Sequence, residues 1–152
     1  MLSKVNNMLS KKMVKKEELK QNWGKINSQL KEAKRFLEET KLDEALYFIW
    51  LAAENIINNL KVAINGFYLK DHKAKTEILK GYFVTGKLKK DYSKTFEKLS
   101  KYRIVAEFHP YTSIPKDYSR EDVLNFLREV QELKGEVGKF LIKKGILKYG
   151  GI

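Results

Sequence analysis

Two histidines and four arginines are the side chains here best suited to proton transfer and phosphate chemistry. One of each falls in a single run, Tyr102-Arg103-Ile104-Val105-Ala106-Glu107-Phe108-His109-Pro110-Tyr111. A guanidinium stays charged at any working pH and presents a planar fork that matches phosphate oxygens. An imidazole titrates near pH 6.5 and can take or give a proton. Together they form a kit for phosphodiester cleavage, with His109 moving protons and Arg103 holding the charge on phosphorus. On an unbroken helix the spacing of six would turn His109 about 240° away from Arg103. Pro110 changes this, because the residue before a proline is pushed out of the α region into extended geometry. The helix should therefore stop near Phe108, leaving His109 able to fold back beside the final turn. An ordinary alternative stands beside this one: Arg103 pairs with Glu107 at i, i+4, and His109 decorates a loop. The second histidine, His72, follows Asp71 at the start of a helix, where a surface or capping role accounts for it.

Other chemistries lack their residues. There is no cysteine, so disulfides, thiolate metal sites and a cysteine nucleophile are excluded. The chain has no Gly-rich phosphate loop, no His-Glu-x-x-His and no Gly-x-Ser-x-Gly. With two imidazoles and no ligand-like spacing of carboxylates, neither a metal nor another cofactor is expected.

The elements that must position Arg103 and His109 read as helices. Leu19, Trp23, Ile26, Leu30, Ala33 and Leu37 recur at alternating steps of four and three, one stripe on a long first helix. The second helix should open at Asp43 as N-cap and run to about Ile64, with Gly66 as its stop. Its apolar residues reach most of the way round, so it is central, or shared between a core and a partner subunit. Glu54 is the one charge between Ala45 and Leu60; it lies on a narrow exposed strip or is a buried functional carboxylate. A third helix is expected near His72–Thr85, ended by Gly86, and a fourth near Lys89–Phe108. The last should begin at Ser119, whose partner Asp122 makes a variant of the capping box, and continue to Gly145. No strand period and no repeat stands out. The 152 residues suit one domain: a basic arm or helix extension over 1–16, an all-α bundle of about five helices over 17–145, and a flexible tail over 146–152.

Lys and Arg total 31 against 19 acids, a formal net charge of +12, but only Arg35, Arg103, Arg120 and Arg128 are arginine. A lysine-rich balance suits a solvated surface as readily as a nucleic-acid face. The excess is uneven, with five Lys and no acid in 1–16, and ten Lys against four acids in 70–101. Such fields attract polyanions, and Lys87, Lys89, Lys90 and Lys101 are the candidate nucleic-acid contacts. The longest apolar run, Ala45–Ala53, has nine residues, against about 20 for a membrane span. The first residues hold no signal-peptide core. A cytoplasmic protein without membrane association is the expectation.

With these elements in place, the chain resembles the HEPN superfamily (higher eukaryote and prokaryote nucleotide-binding domains) from about Trp23 to Phe140. The likeness rests on the long first helix, on Asp-Glu-Ala-Leu-Tyr-Phe-Ile-Trp-Leu-Ala-Ala-Glu-Asn at 43–55, on Arg103…His109, and on the long final helix. The family's hallmark is an Arg followed four to six residues later by a His. The resemblance implies an up-and-down helical bundle and a homodimer with the site across its two-fold axis. It also implies metal-independent endoribonuclease activity of the kind found in toxin–antitoxin systems. Other members are non-catalytic nucleotide- or partner-binding modules that accompany a nucleotidyltransferase. It assigns catalysis to Arg103 and His109, with Glu54, Glu107 and Tyr111 in support. Ile104 stands where active members often carry a polar residue. In one subgroup's register it is Glu107, rather than His109, that takes the polar position.

Overall fold

The helical periods resolve into α1 (Leu2–Glu38), α2 (Leu42–Asn65), α3 (His72–Val84), α4 (Ser93–Phe108) and α5 (Arg120–Lys143). This computed structural model describes residues 2–66, 72–108 and 117–148, with side chains for 16–66, 74–107 and 117–148. The protein is an all-α bundle, and no strand occurs among the described residues.

All six residues of the α1 stripe are buried, none more than 5% exposed. They lie against α2, which also packs on α4 and α5 and so occupies the middle of the bundle. Ala45, Leu46, Ile49, Ala52, Ala53, Ile56, Ile57 and Leu60 of α2 are at most 1% exposed. Each large side chain so buried contributes roughly 1.5–3 kcal/mol. Asn59 is fully buried among them. Its amide donates to the Leu19 carbonyl (3.2 Å) and accepts from the Asn22 amide (2.6 Å), so the polar group is satisfied and α1 is keyed to α2.

Helix ends follow chemistry legible in the sequence, with three corrections. Ser119 and Asp122 form a reciprocal capping box at the start of α5. The Ser119 backbone N–H, then its hydroxyl, holds the Asp122 carboxyl below its usual range. Gly66 ends α2 in the left-handed region. Asp43, however, is not the N-cap of α2. Lys41 holds that position without a side-chain cap, and the Asp43 carboxylate instead accepts a hydrogen bond from the Tyr118 hydroxyl. The fourth helix begins at Ser93, not near Lys89, because Asp91 accepts from the Ser93 N–H (2.9 Å) and turns the chain there. The flexible tail does not begin at 146 either. The amides of Ile146 and Leu147 bond the Leu141 carbonyl, and Leu147 is 8% exposed within the core.

Three helices end in the same paired hydrogen bonds. Around Gly86 and Gly145 the glycine N–H bonds the carbonyl three residues back, and the next N–H bonds the carbonyl five back. The α1–α2 turn repeats this pattern with Thr40 in the glycine's place, at φ 59 against 78 and 72 for the two glycines. A β-branched residue in that region is strained by about 1–2 kcal/mol. Thr40→Gly should therefore stabilise the fold by roughly 0.5–1 kcal/mol after the entropy cost of glycine. At this chain length thermal unfolding should show a rise of about 2–4 °C per kcal/mol. A lower melting temperature would contradict the assignment of strain to Thr40.

Candidate functional site

Arg103 lies on α4, with Tyr102 and Val105 on either side of it buried. Those two anchors fix the helix, and the arginine is carried to the edge of α2. Its guanidinium carbon sits 4.3 Å from the centroid of the Trp50 ring, a cation–π contact worth about 0.5–2 kcal/mol. One Nη atom pairs with Glu107 at 3.0 Å, one turn further along. Nε is buried without a hydrogen-bond partner. The charge is thus held in one orientation, stacked on one face and bridged at one edge, while one donor remains unused. Two exposed apolar groups lie near this pair: Ile104, next in the chain to Arg103, at 40%, and Tyr47, on the Trp50 side, at 39%. Tyr47 lies 6.2 Å from the Trp50 ring.

The pairing of Arg103 with Glu107 is the ordinary alternative weighed from spacing, and it is present. His109 and Tyr111 lie outside the described residues, as does the side chain of His72. The described part of the site therefore comprises Arg103, Glu107 and Trp50.

Glu54 is neither on an exposed strip nor at the guanidinium. Its carboxylate accepts from the Lys75 ammonium at 2.8 Å, with the two side chains 12% and 3% exposed. The helical spacing of four places Glu54 on the same side of α2 as Trp50, one turn on. It thus joins α3 to the helix that supports Arg103. Among the lysines proposed to meet nucleic acid, Lys87, Lys89 and Lys101 are exposed. Lys90 is held by Glu129 (3.0 Å) and Glu132 (3.1 Å), which offset its charge. Burial pushes the Glu129 carboxyl up, but the Thr95 hydroxyl and Lys90 together outweigh it and leave it below its usual range.

Sequence reasoning missed two participants. Trp50 was one more apolar residue of α2, and only the fold shows that its ring face carries Arg103. Lys75 counted toward the basic field of 70–101, yet it is 2% exposed. A lone acid in the most apolar helix was the available signal that some cation had to be buried opposite it. Among the described residues no three His, Asp or Glu side chains gather as a metal ion would require. Compared with protein-family models, curated proteins and solved structures, the chain gives no match.

The burial of Glu54 and Lys75 makes their role testable apart from activity. Removing one partner of a buried pair strands the other charge, at a cost of about 3–5 kcal/mol. Lys75→Met should lower stability by that order in chemical denaturation. Adding Glu54→Leu to it should restore most of the loss. A Lys75→Met protein as stable as the wild type would show that the pair is not a structural tie.

Proposed function

We propose that this protein is a HEPN-type homodimer that binds and cleaves RNA without a metal cofactor. The observation that carries the reading is Arg103, stacked on Trp50 with a buried unused Nε donor, six residues before His109. An unpaired buried donor costs about 1–3 kcal/mol, which an incoming phosphate oxygen would recover with slight movement of the side chain. In this reading the RNA's own 2′-oxygen attacks phosphorus and the 5′-oxygen leaves, giving a 2′,3′-cyclic phosphate. His109 takes the proton from the 2′-OH or gives one to the leaving oxygen, and Arg103 balances the charge on phosphorus. Glu54 and Tyr111 support the site, the first by way of α2. The exposed Tyr47, near Trp50, and Ile104, next in the chain to Arg103, suit a contact with a second copy that completes the site across a two-fold axis.

One observation favours a second reading. Glu107 already neutralises part of the Arg103 charge, which suits a non-catalytic module that holds a nucleotide or docks a nucleotidyltransferase or antitoxin partner.

The expected outcome for the first reading is metal-independent cleavage, unaffected by EDTA. His109→Ala and Arg103→Ala should each lower the rate about 100- to 10,000-fold, and Arg103→Lys should not restore it, since an ammonium lacks the planar fork. Cleavage that survives His109→Ala rejects the mechanism, and a wild type that cleaves no RNA leaves the binding module. The dimer is checked separately. Light scattering at tens of micromolar should give twice the 17.8 kDa chain mass, and a monomer at that concentration would remove the shared site.

A further inference from the structure

A second cationic feature lies away from Arg103, in the groove between α1 and α5. It is an open cleft of about 340 Å³, walled by Asn27, Lys31 and Lys34 from α1 and by Gln131, Lys134 and Gly135 from α5, with the buried Leu30 at its base. Positions 27, 31 and 34 are spaced to share one face of α1, and 131, 134 and 135 one face of α5. No carboxylate lines the cleft, and no ion pair engages Lys31, Lys34 or Lys134 among the described residues.

Glu38, one turn from Lys34 on α1, is exposed and does not line the cleft, and five further acids of these two helices are engaged elsewhere. On α1, Glu32 and Glu39 both bridge Arg35. On α5, Glu129, Glu132 and Glu136 turn toward the α3–α4 junction, where they hold Lys90, Thr95, Tyr92 and the Lys89 amide. Lys134 is half-buried, with its ammonium 5.8 Å from the centre of the Trp23 ring. Burial, then the charge of Lys34, draws Lys134 below its ordinary range. Like charges therefore crowd one another across the cleft, with two side-chain amides beside them and no carboxylate among the lining residues. Gly135 keeps the wall open: an added Cβ would meet nothing within 4 Å, so packing does not require glycine there. No aromatic ring lines the cleft to stack a base.

From this arrangement we infer that the α1–α5 cleft is an anion site that takes a phosphate group, held by Lys34 and Lys134 with Lys31, Asn27 and Gln131 around them. The recognition is of the phosphate itself, and it stands whether or not Arg103 belongs to a ribonuclease. The phosphate belongs either to a small free anion or to the backbone of a polynucleotide, and the two sources are separable.

The test titrates the full chain with inorganic phosphate, and separately with an oligouridylate of about 12 nucleotides, at an ionic strength of about 20 mM so that screening is weak. Wild type should bind phosphate, and the Lys34→Gln/Lys134→Gln double variant should bind it at least about tenfold more weakly, each lysine supplying a charge-assisted hydrogen bond. A charge-matched control, Lys25→Gln/Lys80→Gln, removes two exposed lysines outside the cleft and should bind as wild type. Gly135→Glu, which puts a carboxylate into open space, should abolish binding while unfolding at nearly the same temperature. If the double variant also weakens the oligonucleotide and reduces its salt slope by about 1.4, the ligand is a backbone phosphate. If only inorganic phosphate is affected, it is a small anion. Loss of phosphate binding equally in the control variant, or no phosphate binding by the wild type, would overturn the site.

Discussion

The near-complete apolar surface of α2 is the constraint from which the rest of the architecture follows. A helix that is apolar on most sides must be covered on most sides, so α1, α4 and α5 each lay a face against it. Apolar contact alone would allow those helices to slide or rotate. What limits the choice is the few polar groups α2 retains. Asn59 is met by Asn22 and the Leu19 carbonyl, and Asn55 by Gln29, both on α1. Glu54 is met by Lys75 on α3, and Asp43 by Tyr118 just before α5. Each buried polar group carries a desolvation cost unless its partner arrives. The partners therefore specify the register that burial by itself would leave open.

Charge is distributed by the same economy of few acids among many bases. On α5, Glu129, Glu132 and Glu136 collect on the side facing α4, where they bind Lys90, Thr95, Tyr92 and the Lys89 amide. The α5 side facing α1 carries Gln131 and Lys134 instead. The helix is thus polarised across its width. One side ties down the α3–α4 junction, and the other adds to the positive field of α1. A net charge of +12 describes the whole chain, whereas in the α1–α5 cleft three lysines gather with no carboxylate among the lining residues.

Arg103 shows how a surface charge becomes a fixed one. An exposed arginine samples many rotamers, and ordering it costs up to about 2 kcal/mol. Here the stacking on Trp50 and the bridge to Glu107 meet that cost within the fold. Trp50 in turn stands on the central helix, close to the tie between Glu54 and Lys75. The orientation of the guanidinium therefore depends on the packing of α2, several contacts from any ligand.

The parts that the sequence determined by itself are those governed by neighbours in the chain. The α1 stripe, the Ser119–Asp122 capping box and the glycine stops at Gly66, Gly86 and Gly145 all rest on interactions within a few residues, and all are present. Local rules fell short where a distant group competed for the same atoms. Asp43 was a sound N-cap by local chemistry, but Tyr118, 75 residues away, took its carboxylate. Lys75 belonged to a basic run, but Glu54, 21 residues away, drew it into the interior. Trp50 had the character of a core residue, and its use as a platform depended on where α4 crossed α2. Periodicity and capping act over one or two turns, whereas these partnerships exist only once helices far apart in the chain have met. Tertiary structure alone decided them, because burial raises the cost of an unpaired polar group above any local preference.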